Sequence, residues 1–213
     1  MSPETVFVRV HTAIATAPLV PEIPLHLATE ITPLWQATEA TLHRTQLPPP
    51  YWAFAWAGGQ ALARHILDNP ALVAGRSALD FGAGSGLVAI AAAKAGASVA
   101  AAEPDRFAVA ALELNAALNG VMVAVDTGDM LSAGETWDIV LAGDMFYERA
   151  LAERLLPWLK AQARHGALVL VGDPGRAYLP ASGLEAVARY WVPTPLELED
   201  REARETTVWR LTA

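Results

Sequence analysis

Residues 79 to 86, Leu-Asp-Phe-Gly-Ala-Gly-Ser-Gly, close an apolar run and open an alanine-rich one, and no other segment constrains the fold as strongly. Glycines at 82, 84 and 86 allow a tight turn and a close approach of backbone to a ligand, where a β-carbon would clash. The helix expected from about residue 85 to 95 starts with unpaired N–H groups pointing back at that turn. A strand, a glycine turn and a helix in this order form the opening unit of a parallel α/β sheet with a nucleotide-type site at its rim.

The rest of the chain repeats the unit. Apolar runs at 77–81, 98–102, 121–125, 138–142 and 167–171 read as strands, and helical spacing recurs at 57–67, 85–95, 105–118 and 148–164. Alternation of this kind gives a parallel sheet with right-handed crossovers and helices on both faces. The last third departs from it. Residues 190–198 and 206–211 are β-like with only the charged stretch 199–205 between them. A connection that short cannot hold a parallel crossover, so the pair is expected as a hairpin that places an antiparallel strand in the sheet. The expected fold is therefore a Rossmann-like α/β sheet ending in an antiparallel hairpin. Residues 1–50 carry prolines at 3, 18, 21, 24, 33, 48, 49 and 50, with one short helical candidate at 34–44, and read as an arm or lid before a domain at 51–213.

Bulk properties exclude several classes. The formal charge of -8 opposes tight binding to nucleic acid, which needs clustered cations to displace counterions. No stretch of about 18 apolar residues is present for a membrane span. The opening residues lack a basic region and carry Glu4, so a secretory signal is not expected and the location is read as cytoplasmic. With no cysteine and five histidines (11, 26, 43, 65 and 165) lacking ligand spacing, no metal site is expected. Nothing in the pattern specifies an oligomeric state. Gly84-Ser85-Gly86 is not the nucleophile elbow of a serine hydrolase. Pro48-Pro49-Pro50-Tyr51 is similar to the loop of enzymes that methylate DNA base amines, but proline stands where that loop needs an Asn or Asp acceptor.

The glycine run is one residue shorter than the dinucleotide fingerprint, and Asp80 precedes it. A carboxylate there repels a pyrophosphate and suits a cationic amino-acid moiety. Glu103, seventeen positions after Gly86 and at the end of the second strand, is placed to take a ribose diol. Asp129, just past the third strand, is placed to accept from an adenine amino group with Met130 against the ring. The cofactor that fits is S-adenosylmethionine, held by Asp80, Gly82, Ala83, Gly84, Gly86, Glu103, Asp129 and Met130. At the end of the fourth strand, Gly143-Asp144-Met145-Phe146-Tyr147 sets an acid and a phenol where substrates sit in open α/β sheets. Asp144 would orient an amine acceptor, or cap the helix that follows, and Tyr147 would offer a ring face or a hydroxyl.

These residues resemble the seven-β-strand methyltransferases that carry an acidic-x-x-Tyr motif after strand four, chiefly protein-lysine methyltransferases. The strings Pro49 to Leu62, Gly143 to Tyr147, Gly172-Asp173-Pro174-Gly175-Arg176 and Thr207-Val208-Trp209 look like those of the electron-transfer-flavoprotein β-subunit lysine methyltransferases, from about residue 30 to the end. The resemblance implies lysine methylation on that flavoprotein subunit, with Asp144 and Tyr147 at the acceptor channel and Trp52 and Trp56 covering the cofactor or that channel. A ribosomal-protein lysine methyltransferase and an N-methyltransferase of a small, nicotinamide-like amine are the alternatives. Arg176 reads equally as a contact to an acidic substrate or as a brace for its own turn. Trp137, Trp158, Trp191 and Trp209 are expected in the core.

Overall fold

The computed structural model describes residues 1–28, 49–132, 134–199 and 201–212; the helical candidate at 34–44 lies outside them. The chain opens with helix α1 (Pro3–His11), capped by Ser2, and the hairpin β1 (Ala13–Ala17) and β2 (Val20–Leu27). A 3-10 turn at Tyr51–Ala53 leads into α2 (Ala57–Asp68). There follow β3 (Ser77–Phe81), α3 (Leu87–Lys94), β4 (Ser98–Ala102), α4 (Arg106–Leu118) and β5 (Ala124–Asp126). The last elements are β6 (Ile139–Gly143), α5 (Arg149–Arg164), β7 (Leu168–Asp173), β8 (Leu184–Pro193), the one-turn α6 (Leu196–Glu199) and β9 (Ala203–Leu211).

Seven strands form one sheet in the order β5-β4-β3-β6-β7-β9-β8. The first five run parallel, β9 pairs antiparallel with β7, and β8 pairs antiparallel with β9. Central strands lie covered on both faces, which is why β3, β6 and β7 read as apolar runs without alternation. On one face α2, α3 and the β2 hairpin pack on Leu141 and Leu170; on the other, Leu155, Trp158 and Leu159 of α5 pack on Val140 and Val171. Helix α3 is buried from Leu87 through Ala92, and its alanines let α2 approach it closely.

The N-terminal segment contains elements that the proline count concealed. Prolines 21 and 24 are accommodated inside β2 of an isolated two-stranded ribbon, where no third strand asks for their missing N–H. Val20, Ile23 and Leu25 share the core of the main sheet. Three amides fasten the hairpin: Gln60 accepts from the Leu19 N–H, Asn115 from the His26 N–H at 2.6 Å, and Asn119 donates to the Pro24 carbonyl.

Other elements shift from their expected bounds for identifiable reasons. The strand expected at 121–125 shrinks to Ala124–Asp126, because the Val121 N–H bonds the Ala116 carbonyl and finishes α4 instead of joining the ladder. The hairpin's first strand runs from 184 to 193, not 190 to 198, since the chain turns into α6 after Pro195, which has no N–H for the ladder. Trp191 is not a core residue: on the edge strand β8, with Val192 pointing inward, it faces out and is 67% exposed. No helix among the described residues is long and apolar enough to cross a membrane.

Candidate active site

A cavity of about 820 Å³ opens above the carboxyl ends of β3, β4 and β6 and is walled by residues from the 49–59 segment. The residues expected at the site, Trp56, Asp80, Gly82, Ala83, Gly84, Glu103, Asp129, Met130, Asp144 and Tyr147, all line it. Gly86 does not; it serves as the N-cap of α3 with φ 79°.

The glycine turn takes its shape from the backbone. Gly82, Gly84 and Gly86 all have positive φ (69°, 51° and 79°), a region costly for other residues. The β-carbon argument holds in a changed form. A methyl on Gly82 would run into the Met145 thioether and one on Gly86 into Leu112, so these positions are closed by the protein itself. Glu103 then locks the turn: Oε2 accepts the Gly84 N–H at 2.9 Å and Oε1 the Asp105 N–H at 3.0 Å. Each oxygen keeps a second lone pair, so a diol can still donate to them.

Asp80 is almost fully buried, with Oδ2 receiving the Ala89 N–H of α3 at 2.9 Å. Burial raises its pKa to about 7, with the nearby Glu103 adding to the effect against the Ala89 bond. Asp129 stands at the mouth, exposed, its Oδ2 accepting from Arg154 at 2.7 Å and Ser132 at 2.9 Å. That oxygen is thus already engaged by the protein, while Met130 beside it is buried against the core.

Asp144 differs most from its expected role. It is buried, has φ 58°, and both carboxylate oxygens are committed. Oδ2 accepts the Gly58 and Gly59 N–H groups in the first turn of α2, so the carboxylate caps a helix far upstream instead of α5, which follows it. Oδ1 meets Arg176, with Nε at 2.8 Å and Nη2 at 2.6 Å. Burial raises the Asp144 pKa to about 6 against the pull of Arg176.

Arg176 is the residue whose importance the sequence left open. Its guanidinium continues to Glu199, with Nη2–Oε1 at 2.6 Å and Nη1–Oε2 at 3.1 Å, and lies 5.6 Å from the Trp56 ring centre. Burial lowers its pKa, but the Asp144 and Glu199 carboxylates outweigh that and hold it above its ordinary value. In the sequence Glu199 is one of several charges in the stretch 199–205, whereas in the fold it is buried.

Aromatic residues form the rim. Tyr147 is 44% exposed, with its ring 5.6 Å from Tyr51, whose own ring lies 5.8 Å from Trp56. Burial, then Tyr51 and nearby carboxylates, raise the Tyr147 pKa, so the hydroxyl keeps its proton. Trp56 and Trp52 do not share a helix face. Trp56 is the N-cap of α2 and donates to the Tyr51 carbonyl at 2.8 Å, whereas Trp52 is buried with Val8 and Ala111.

The lining fits a cationic nucleoside. Asp80, Glu103, Asp105, Asp129, Asp144 and Glu148 face the cavity, while its cations among the described residues, Arg154 and Arg176, are paired to Asp129 and Asp144. A phosphate would find no unpaired positive partner; a sulfonium and an ammonium find several carboxylates. No cluster of metal-ligating side chains occurs among the described residues.

Comparison with known proteins agrees with this chemistry. Residues 61–169 match the family model described as ribosomal protein L11 methyltransferase (PrmA). The chain is 40% identical over 200 residues to the electron transfer flavoprotein beta subunit lysine methyltransferase of Danio rerio, covering 90% of this chain and 76% of that protein. Among solved structures it is similar to a ribosomal protein L11 methylase from Lactobacillus delbrueckii subsp. bulgaricus, with TM-score 0.52 and 24% identity over 75% of this chain and 81% of the other. It is also similar to magnesium protoporphyrin IX methyltransferase of Synechocystis PCC 6803 with bound SAM, with TM-score 0.53 and 14% identity over 73% and 80%. These two likenesses establish the class I methyltransferase fold.

Proposed function

The chain belongs to the electron transfer flavoprotein beta subunit lysine methyltransferase family, and from that premise we propose that it methylates a lysine ε-amine on the β-subunit of an electron transfer flavoprotein, using S-adenosylmethionine. The observation that carries the reading is an acid-lined cavity whose outer wall holds Asp144 and Tyr147 together in a chain of this family. The L11 methyltransferase model ends at residue 169, before the Asp173–Arg176 turn and the hairpin that supplies Glu199. The likeness to the flavoprotein enzyme spans 90% of the chain and so must continue past that point. This favours the flavoprotein subunit over a ribosomal protein or a small nicotinamide-like amine.

S-adenosylmethionine supplies the methyl group as an electrophile. Asp80 and the 82–86 turn would hold its amino-acid end, Glu103 its ribose, and Asp129 with Met130 its base. The acceptor lysine must be neutral when it attacks, its proton having passed to solvent, and that state holds roughly one molecule in a thousand near pH 7.4 at its ordinary pKa of about 10.4. A carboxylate beside the ammonium opposes deprotonation, so Asp144 aims the side chain and does not serve as its base. The tyrosine and tryptophan rims at Tyr51, Trp56 and Tyr147 exclude water from the lysine stem and favour its cationic head until the proton leaves. Alignment within the cavity then contributes much of the rate. We read residues 1–50 as an N-terminal arm before a methyltransferase domain at 51–213, and we place the enzyme in the cytoplasm.

The test is intact-mass and peptide mass spectrometry of a purified electron transfer flavoprotein β-subunit after incubation with enzyme and cofactor. Addition of 14 Da steps, about one methyl each, on a lysine is expected. Methylation of another protein from an extract, with none on the β-subunit, overturns the substrate and leaves the enzyme class standing.

A further inference from the structure

The Asp144 carboxylate poses a problem that the structure answers. An unpaired carboxylate at the acceptor wall would hold the lysine ammonium and keep it protonated. Here Asp144 Oδ1 already receives two N–H groups of one guanidinium, from Arg176 Nε and Nη2. Three further contacts fix Arg176. Glu199 takes its other edge through both oxygens, Asp173 Oδ1 accepts the Arg176 backbone N–H at 2.7 Å, and the Trp56 ring lies against its face. Arg204 supports Glu199 in turn, with Nε–Oε2 at 3.3 Å and Nη2 to the Glu199 carbonyl at 3.0 Å.

The charges on this wall are Asp144, Asp173 and Glu199 against Arg176 and Arg204, so one negative charge is in excess. One Asp173 oxygen, Oδ2, is buried with no hydrogen-bond partner. Tyr147, Tyr51, Glu148 and Glu103 line the same cavity, and the last three raise the Tyr147 pKa by their charge. The excess attracts a cation to the wall. The guanidinium limits how tightly Asp144 can grip it.

We infer that Arg176, buttressed by Glu199 of the C-terminal turn, is a positioning residue for methyl transfer, which holds the Asp144 carboxylate and lowers the proton affinity of the acceptor lysine beside it. The inference rests on the lysine-methylation reading. Only a planar fork can bridge Asp144 and Glu199 while lying over the Trp56 ring; a lysine at 176 keeps the charge and loses the bridge.

The experiment measures single-turnover methyl transfer to the flavoprotein β-subunit from pH 6.5 to 10, with cofactor affinity by calorimetry as the folding control. Wild-type rate rises with pH as the bound lysine loses its proton. Arg176→Met moves that rise upward by about one pH unit, from loss of one positive charge near the amine. The deficit approaches about tenfold at pH 7.5 and shrinks towards pH 10. Glu199→Gln removes a negative charge and moves the rise the other way. Arg176→Lys restores the wild-type position of the rise at a reduced plateau. Equal loss at every pH in Arg176→Met, or an unmoved rise in Glu199→Gln, overturns the inference. Should Arg176→Met fail to bind cofactor, the direction of the Glu199→Gln shift decides alone. A wild-type enzyme that leaves the β-subunit unmethylated refutes the substrate reading instead.

Discussion

Asp144 Oδ2 lies 3.1 Å from the backbone nitrogen of Gly59, a bond that joins the end of β6 to the first turn of a helix 85 residues earlier in the chain. The Gly58 N–H reaches the same oxygen. Trp56, at the N-cap of α2, has no side-chain oxygen to offer, so this distant carboxylate satisfies two of the helix's four orphan donors. Capping and substrate placement thereby share one residue. A change there moves both the wall of the cavity and the helix behind it.

Asp144→Asn keeps an oxygen for the α2 cap and removes the charge that draws Arg176 and the acceptor ammonium. Turnover should fall by about 10- to 100-fold while cofactor affinity stays within a few-fold, the expected scale for loss of a positioning contact. Tyr147→Phe should lower turnover by less, since the ring face remains. Steady-state kinetics beside calorimetric cofactor binding separates the two effects, and wild-type turnover in both variants would remove them from the acceptor site.

The interface between α2 and the sheet depends on the absence of side chains. A β-carbon on Gly58 would overlap the Gly172 carbonyl, and one on Gly172 the Gly58 carbonyl. Backbone cannot give way as a side chain can. Gly172→Ala should destabilise the protein by about 2–4 kcal/mol, read as a lower urea midpoint at unchanged slope, through overpacking and backbone displacement. Gly166→Ala, where no atom lies within 4 Å but φ is 98°, should cost less, about 1 kcal/mol of conformational strain.

What the sequence disclosed and what it withheld divide along a physical line. The glycine turn, Glu103 and the Asp144–Tyr147 string were legible because each is a local signature whose place follows from the strand it ends. The antiparallel β9 was legible from the shortness of one connection. The α2 cap by Asp144 and the Arg176–Glu199 bridge were not, because such pairings depend on which ends of the sheet meet and leave no periodic trace. Trp191 failed for a related reason: strand alternation states that one face is apolar, but not that β8 is the edge. Asn115 carries no sequence signal, being one polar residue within a largely apolar helix.

That asparagine carries a prediction. Fully buried on α4, Asn115 donates to the Ser85 carbonyl at 2.8 Å and accepts the His26 N–H at 2.6 Å, so it ties the glycine turn to the N-terminal hairpin. Asn115→Ala strands a donor and an acceptor and should cost about 2–4 kcal/mol, from two unsatisfied buried groups at about 1–3 kcal/mol each with partial relaxation. Chemical denaturation measures the loss. Weaker cofactor binding should accompany it, because the Ser85 end of the turn is no longer anchored; unaltered stability would refute the strut.

Asp80 gives the pH dependence of cofactor binding a definite sign. Burial first, and then Glu103, raise its pKa to about 7 in the cofactor-free protein, so it is close to half protonated at pH 7. A cationic amino-acid group favours the ionised form and pulls that pKa down. Binding at pH 7 should therefore release somewhat less than half a proton, and affinity should rise as pH increases through 7 and fall again above about 8, where the free cofactor's own α-amino group loses its proton. Calorimetry in buffers of different ionisation enthalpy measures the release directly. At pH 9, where Asp80 is already ionised and the cofactor's α-amino group, of ordinary pKa about 8, is largely neutral in solution, binding should take up a proton and the buffer dependence should change sign. Asp80→Asn should bind more weakly and show no release at either pH. A binding enthalpy independent of buffer at pH 7 in the wild-type protein would mean that the cofactor's cation does not contact Asp80.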